Sequence, residues 1–200
     1  MKKLIISLST VVLAITGFAQ QPVSLSQQEK NAILYMREEE KLARDVYEFV
    51  YTKWAVNPFG NIRLSEQTHM DRMKALITTY KLSDPVENNK DKPGVFTNAL
   101  LQNYYNQLTA SGSQSLTAAL KAGAKIEELD ISDLEERLKQ TKKQDIAATY
   151  NYLKMGSENH LRAFVRRLKM QGVNYEPVIL NKTAFDKIMA NNNGNGRRWN

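Results

Sequence analysis

The sequence predicts an all-α protein, a four-helix bundle with a long connection between its second and third helices and extra short helices. Three observations carry this. Glycine and proline are scarce, 9 and 5 in 200 residues. Long stretches place apolar residues three and four apart, with no strand-like alternation. Four of these stretches are long enough for bundle helices, and a polar segment rich in Asn, Pro and Gly divides them two and two. A chain of this length makes one domain with room for a real core.

Residues 1–19 stand outside that bundle. Met1-Lys2-Lys3 is a short basic start, and Leu4 to Gly17 is an apolar run broken only by Ser and Thr. Gly17-Phe18-Ala19 then places small residues at the minus-three and minus-one positions of a cleavage before Gln20. This is the three-part pattern of a secretory signal peptide, and the run is short for a membrane span. The expectation is an exported protein, periplasmic or secreted, without a stable membrane anchor once the signal is removed. Removal takes away Lys2 and Lys3 and lowers the formal net charge from +7 to +5. That excess is mild and spread along the chain, so no nucleic-acid partner is expected. The cluster Arg162, Arg166, Arg167 and Lys169 reads as the solvated side of the last helix. The absence of cysteine excludes disulfides, zinc–thiolate sites and thiol catalysis. A homo-oligomer is compatible with all of this.

After a short linker at 20–25, the bundle is expected over 26–175. Ser26-Gln27-Gln28-Glu29 is a capping box that opens a first helix from Ser26 to about Thr52. Asn57-Pro58-Phe59-Gly60 is a turn, and the second helix follows from about Ile62 to Tyr80. Leu82 to Gly94 is the long polar connection. Thr97 to Ala110 predicts a shorter helix rich in Leu and Tyr. Ser113 to Lys139 carries the third long helix, with Gly123 as a candidate kink. Thr141-Lys142-Lys143-Gln144 matches a second capping box, opening a last long helix to about Met170. Tyr175-Glu176-Pro177 breaks it. A C-terminal extension at 176–190 holds a short helix from Thr183 to Met189, and the Asn/Gly-rich 191–200 reads as a disordered tail.

The informative residues are polar ones on otherwise apolar stripes. On the second helix the stripe is Ile62, Glu66, His69, Met73, Leu76 and Tyr80, interrupted only by Glu66 and His69. A carboxylate on a core stripe costs several kcal/mol, in order of magnitude, unless it is paired or binds a cation. Three residues apart, both heads reach the same point beside the helix. A Glu-x-x-His pair directed inward is the motif of carboxylate-bridged di-iron bundles. Alone, the motif is weak, because a buried hydrogen-bonded pair or a surface pair has the same spacing. The first helix carries Ile33, Met36, Ala43, Val46, Tyr47, Val50 and Trp54 on a broad apolar face. Glu40 is its favoured inward carboxylate and Glu39 the close alternative, while Glu38, Lys41, Asp45 and Glu48 point away. On the third helix Glu127 interrupts the stripe of Leu116, Leu120, Ile131, Leu134 and Leu138, with Asp130 three residues on. On the fourth, Ser157 and His160 interrupt Ile146, Tyr150, Leu153, Phe164 and Leu168. Both histidines of the chain thus fall on inner stripes.

Four blocks together resemble a known family: Arg37-Glu38-Glu39-Glu40-Lys41-Leu42-Ala43-Arg44-Asp45-Val46-Tyr47, Ser65-Glu66-Gln67-Thr68-His69-Met70, Ile126-Glu127-Glu128-Leu129-Asp130-Ile131, and Ser157-Glu158-Asn159-His160-Leu161-Arg162-Ala163-Phe164. They look like the uncharacterised ferritin-like family known as domain of unknown function 2202, from about Gln27 to Tyr175. The resemblance implies a ferritin-like four-helix bundle and carries over no established activity. The wider ferritin-like pattern takes one Glu from each of two helices and a Glu-x-x-His from each of the other two. Matched residue by residue, it implies Glu40, Glu66, His69, Glu127 and His160 as metal ligands. The sixth position departs. Ser157 stands three residues before His160, and Glu158 lies roughly 200° around the helix from it and faces away. Asp130 could compensate from the third helix.

Imidazole with carboxylate suits iron, in a di-iron or mononuclear site, and also manganese. The implied function is an exported metal-binding protein, with oxidation of Fe(II) by oxygen or peroxide as the enzymatic form. Non-catalytic metal binding and a metal-free helical interaction protein are the alternatives. Tyr47 and Tyr150 stand near the ligands, with core packing favoured for both over electron transfer or hydrogen bonding.

Overall fold

The computed structural model describes residues 24–191. The expected signal peptide, the start of the expected linker and residues 192–200 of the expected tail lie outside the described residues. Seven helices account for the regular structure among the described residues, and none of these residues is in a strand. They are α1 (Gln27–Trp54), α2 (Phe59–Thr79), α3 (Pro85–Asn88), α4 (Ala99–Gly112), α5 (Leu116–Gln140), α6 (Gln144–Met170) and α7 (Lys182–Ala190). The pairs α1–α2 and α5–α6 form two helical hairpins that pack face to face, α1 against α5 and α2 against α6. The crossover between the hairpins carries α3 and α4, and α7 lies on α6. No helix among the described residues is long and apolar enough to cross a membrane.

Local chemistry sets the helix starts. The first capping box forms: Glu29 N donates to Ser26 Oγ at 3.1 Å, and Ser26 N donates to Glu29 Oε2 at 2.8 Å. The second does not. The Thr141 hydroxyl accepts from Lys143 N at 3.1 Å and donates to Glu29 Oε1 at 2.8 Å, so α6 begins after Lys143 without a side-chain cap. Thr141 therefore ties the α5–α6 turn to the start of α1. The expected turn at Asn57–Gly60 is shorter than its sequence suggests, because α2 already starts at Phe59. Buried Phe59 anchors that first turn, packing on Tyr47 and Phe164 with ring centroids 5.9 and 5.2 Å apart. Helix α5 runs without a break through Gly123. A Cβ there would sit 2.5 Å from the Phe164 ring, so this glycine admits a neighbour and does not break a helix.

The crossover corrects one expectation about α1. Glu38, Lys41, Asp45 and Glu48 do turn from the bundle centre, yet only Glu48 is exposed; the other three, and Arg37 beside them, are buried because the crossover lies over them. Arg37 Nε reaches Asp84 Oδ2 at 3.1 Å and its Nη1 donates to the Met70 carbonyl at 2.8 Å. Lys41 pairs with Asp45 and donates to the Lys92 carbonyl at 2.9 Å. Asp45 accepts from Gly94 N at 2.8 Å, and Glu38 accepts from Thr97 N and Asn98 N where α4 begins. Each buried charge thus finds a partner, as burial requires.

The apolar core is split. One cluster holds Val46, Tyr47, Phe59, Ile62, Ile131 and Phe164 among others; the second holds Ile33, Met36, Met73, Leu76, Leu134 and Leu153. Along α1 and α2 the step from one cluster to the other passes Glu40 and Glu66 with His69. A polar layer lies between two hydrophobic ones.

Candidate metal centre

That layer is where the sequence-predicted side chains meet. Glu40, Glu66, His69 and Glu127 are almost fully buried, and the His160 side chain keeps 11 % of its surface. His69 Nδ1 lies 2.9 Å from Glu66 Oε2 and 3.1 Å from Glu40 Oε2. His160 Nδ1 lies 2.8 Å from Glu66 Oε1 and 3.5 Å from Glu127 Oε2. The two imidazoles stack with centroids 5.5 Å apart. Two groups of donor atoms converge, each within 4.8 Å: Glu40, Glu66 and His69, and Glu66, Glu127 and His160. Glu66 belongs to both, one oxygen to each side.

The supports of this layer come from several helices. Tyr47 Oη donates to Glu127 Oε1 at 2.5 Å. Ser65 Oγ lies 3.0 Å from His160 Nε2, which leaves Nδ1 facing the carboxylates. Gly156 on α6 makes room for His69: a Cβ there would sit 2.5 Å from Nε2. Ser65 and Gly156 were not among the expected site residues. Their only sequence signal is adjacency to Glu66 and Ser157. Tyr47 was expected mainly as core, and it is core with a polar end.

The less certain candidates occupy a neighbouring position. Ser157 donates to Asp130 Oδ2 and lies 3.1 Å from the Leu153 carbonyl, so this pair from α5 and α6 stands beside the centre. Glu39 is buried as well, but its contact is the Tyr35 hydroxyl at 3.5 Å. The structure therefore brings five of the eight candidate residues into the two converging groups and leaves Glu39, Asp130 and Ser157 next to them. Glu158 faces away, as its register required, and pairs with Lys154.

Electrostatics show how crowded this layer is. Burial raises the Glu40 carboxyl to about 7 against the opposing pull of His69. Burial would also raise Glu66, but the charges of His160 and His69 hold it below the usual carboxylate range. For His160, burial alone would lower the imidazole, and Glu66 and Glu127 outweigh it, raising it to about 10. Burial and the neighbouring carboxylates push Asp130 well up. Without a cation, protons must hold these carboxylates together.

The donor set fits a metal ion. Glu40 Oε1 is buried without a hydrogen-bond partner, and Glu66 Oε1 and His160 Nδ1 pair with each other 2.8 Å apart. An unpartnered buried acceptor is costly and rare, and the carboxylate and imidazole atoms that converge here match the oxygen and nitrogen ligands that iron and manganese accept.

Fold and site together define a class: an all-α helical bundle with a buried carboxylate–histidine layer that could hold metal. Within it, the chain belongs to the family described as uncharacterized protein domain DUF2202, which it matches over residues 29–192. It is 45 % identical over 182 residues to the uncharacterized protein MJ0754 of Methanocaldococcus jannaschii, covering 91 % of this chain and 96 % of that protein. The crystal structure of hypothetical protein MJ0754 from Methanococcus jannaschii superposes with a TM-score of 0.81 at 46 % identity, covering 88 % of this chain and 98 % of that one.

Proposed function

We propose that this is an exported, ferritin-like metal-binding protein whose centre holds two divalent ions, iron or manganese, and that it works as an oxidoreductase on oxygen or peroxide. The observation that carries the proposal is Glu66, whose two oxygens each face a different histidine. Glu40, His69 and one Glu66 oxygen would hold one ion; Glu127, His160 and the other oxygen would hold the second. Iron(II) held by these residues would supply the electrons for reducing oxygen or peroxide. The protein's own part is to orient and to exclude water. Tyr47 holds Glu127 in place, Ser65 fixes the free nitrogen of His160, and the Tyr47, Phe59 and Phe164 rings seal one side of the layer.

A metal-binding protein without turnover is the alternative, favoured by Ser157, where a sixth ligand would complete the set. Two measurements separate them. Protein purified with iron or manganese is expected to retain one to two ions per chain, and Glu66→Ala with His69→Ala to lose them; full loading of that double variant sinks the site. Apo protein mixed with Fe(II) under oxygen is expected to oxidise it faster than buffer does, and a rate equal to buffer leaves only the binding role. Export rests on residues 1–19, and N-terminal sequencing of the mature protein is expected to begin at Gln20.

A further inference from the structure

Two faces approach the buried layer, and they differ in charge. On one, the edge of His160 meets solvent beside Ser65. That side also carries the Arg72 guanidinium, 3.5 Å above the Tyr152 ring, which packs edge-on against His69. On that side the Arg72 guanidinium opposes an approaching cation. On the other face, a cleft of about 730 Å³ opens between α1 and the end of α5, lined by Asn31, Tyr35, Glu38, Asn98, Arg137 and Gln140 among others. Arg137 lies over the Tyr35 ring at 4.5 Å, and its charge is offset by Asp133 at 3.7 Å.

Behind Tyr35 stands a line of carboxylates. The Tyr35 hydroxyl is 3.5 Å from Glu39 Oε1, too long for a firm hydrogen bond. Glu39 Oε2 and Asp130 Oδ1 have no partner, although both residues are more than nine-tenths buried. Glu39 feels the charge of Asp130, and Asp130 feels Glu40, Glu127 and Glu66. Asp130 is held by Ser157, one turn before His160 on α6, and stands one turn after Glu127 on α5, which puts it at the edge of the centre. Two buried carboxyl groups with a free oxygen each are costly, and core packing has no use for them.

We propose that divalent metal ions load into the centre through this cleft, passing Tyr35 and handed on by Glu39 and Asp130. The inference rests on the metal-binding role proposed above and adds the route. Tyr35 is the door, and the free oxygens of Glu39 and Asp130 are transient ligands, not members of the final set.

Stopped-flow mixing of the full-length apo chain with Co(II), read by cobalt absorbance, tests this. Glu39→Gln is expected to reach the wild-type cobalt stoichiometry at least about tenfold more slowly, since it removes a carboxylate oxygen that would bind the passing cation. Tyr35→Ala is expected to accelerate both uptake and chelator-driven release, an arm that does not depend on how well the Glu39 variant folds. Arg72→Ala, on the opposite face, is expected to change the rate less than about twofold. Wild-type uptake by Glu39→Gln, loss of a bound ion in that variant, or a larger effect of Arg72→Ala than of Tyr35→Ala overturns the route. Wild-type protein that binds no Co(II) overturns the metal-binding role itself, a result distinct from any rate difference.

Discussion

Glu66 depends on neighbours that hold the two histidines at the right angle, and two of these can be probed singly. Gly156→Ala places a methyl group against His69 Nε2, where only 2.5 Å is free. Alanine favours the helix by about 1 kcal/mol over glycine, so the fold survives. The expected outcome is metal affinity lower by about 10- to 100-fold, as for other groups that orient ligands, with an unchanged helical circular dichroism spectrum. Calorimetric titration with Mn(II) measures it, and wild-type affinity would show that His69 tolerates displacement. Tyr47→Phe removes the donor to Glu127 while keeping the ring in its aromatic cluster. A loss of about 1–2 kcal/mol in urea unfolding is expected, because a buried hydrogen bond to a charged group is broken.

At the scale of elements, α5 presents adjacent carboxylates to opposite sides. Glu127 faces the centre, and Glu128 faces out to the C-terminal extension. The buried Glu128 carboxylate accepts from Val178 N, Ile179 N and Leu180 N, and from the Tyr175 hydroxyl at 2.6 Å. These contacts tie down the segment that leads into α7. Glu128→Ala is expected to cost about 2–3 kcal/mol, since backbone donors lose a charged acceptor. It should also make the chain cleavable near residue 178 under limited proteolysis, and a protease-resistant variant of wild-type stability would argue that the extension docks by α7 alone. The polar neighbours of Glu128 are distant in sequence, so spacing along α5 gave no hint of this use. The same holds for Glu38 on α1, whose partners at Thr97 and Asn98 lie about sixty residues away.

For the whole molecule, the buried layer links stability to pH and to metal. Glu40 is raised from 4.5 to about 7 and His160 from 6.5 to about 10. In both cases the folded chain keeps a proton that the unfolded chain has already released. Stability is therefore lost as pH rises, through 4.5 to 7 for Glu40 and through 6.5 to 10 for His160. Metal-free protein held in chelator is expected to melt at progressively lower temperature as pH is raised across this range, by scanning calorimetry. A bound cation replaces those protons, so the gap in melting temperature between loaded and metal-free protein should widen with pH. A flat metal-free profile would mean that the layer is not as desolvated as its burial indicates.

What the sequence by itself determined is what periodicity can carry. The four long helices with α4 and α7 in their order, the inner stripes, and Glu66, His69, Glu127 and His160 as interruptions of those stripes follow from a repeat of 3.6 residues, which assigns each side chain to a face without reference to any other helix; α3, a single turn inside the polar connection, is too short to show one. It also placed Ser157 where a carboxylate would complete the pattern. Only the tertiary structure decided which of the neighbouring Glu39 and Glu40 meets the histidines, because they differ by one position within a broad apolar face and the partner helices choose between them. Only it showed that Asp130 bonds to Ser157, that Glu66 serves both histidines, and that the outer charges of α1 are covered by the crossover. Those facts depend on contacts between residues far apart in the chain, and helical spacing holds no information about them.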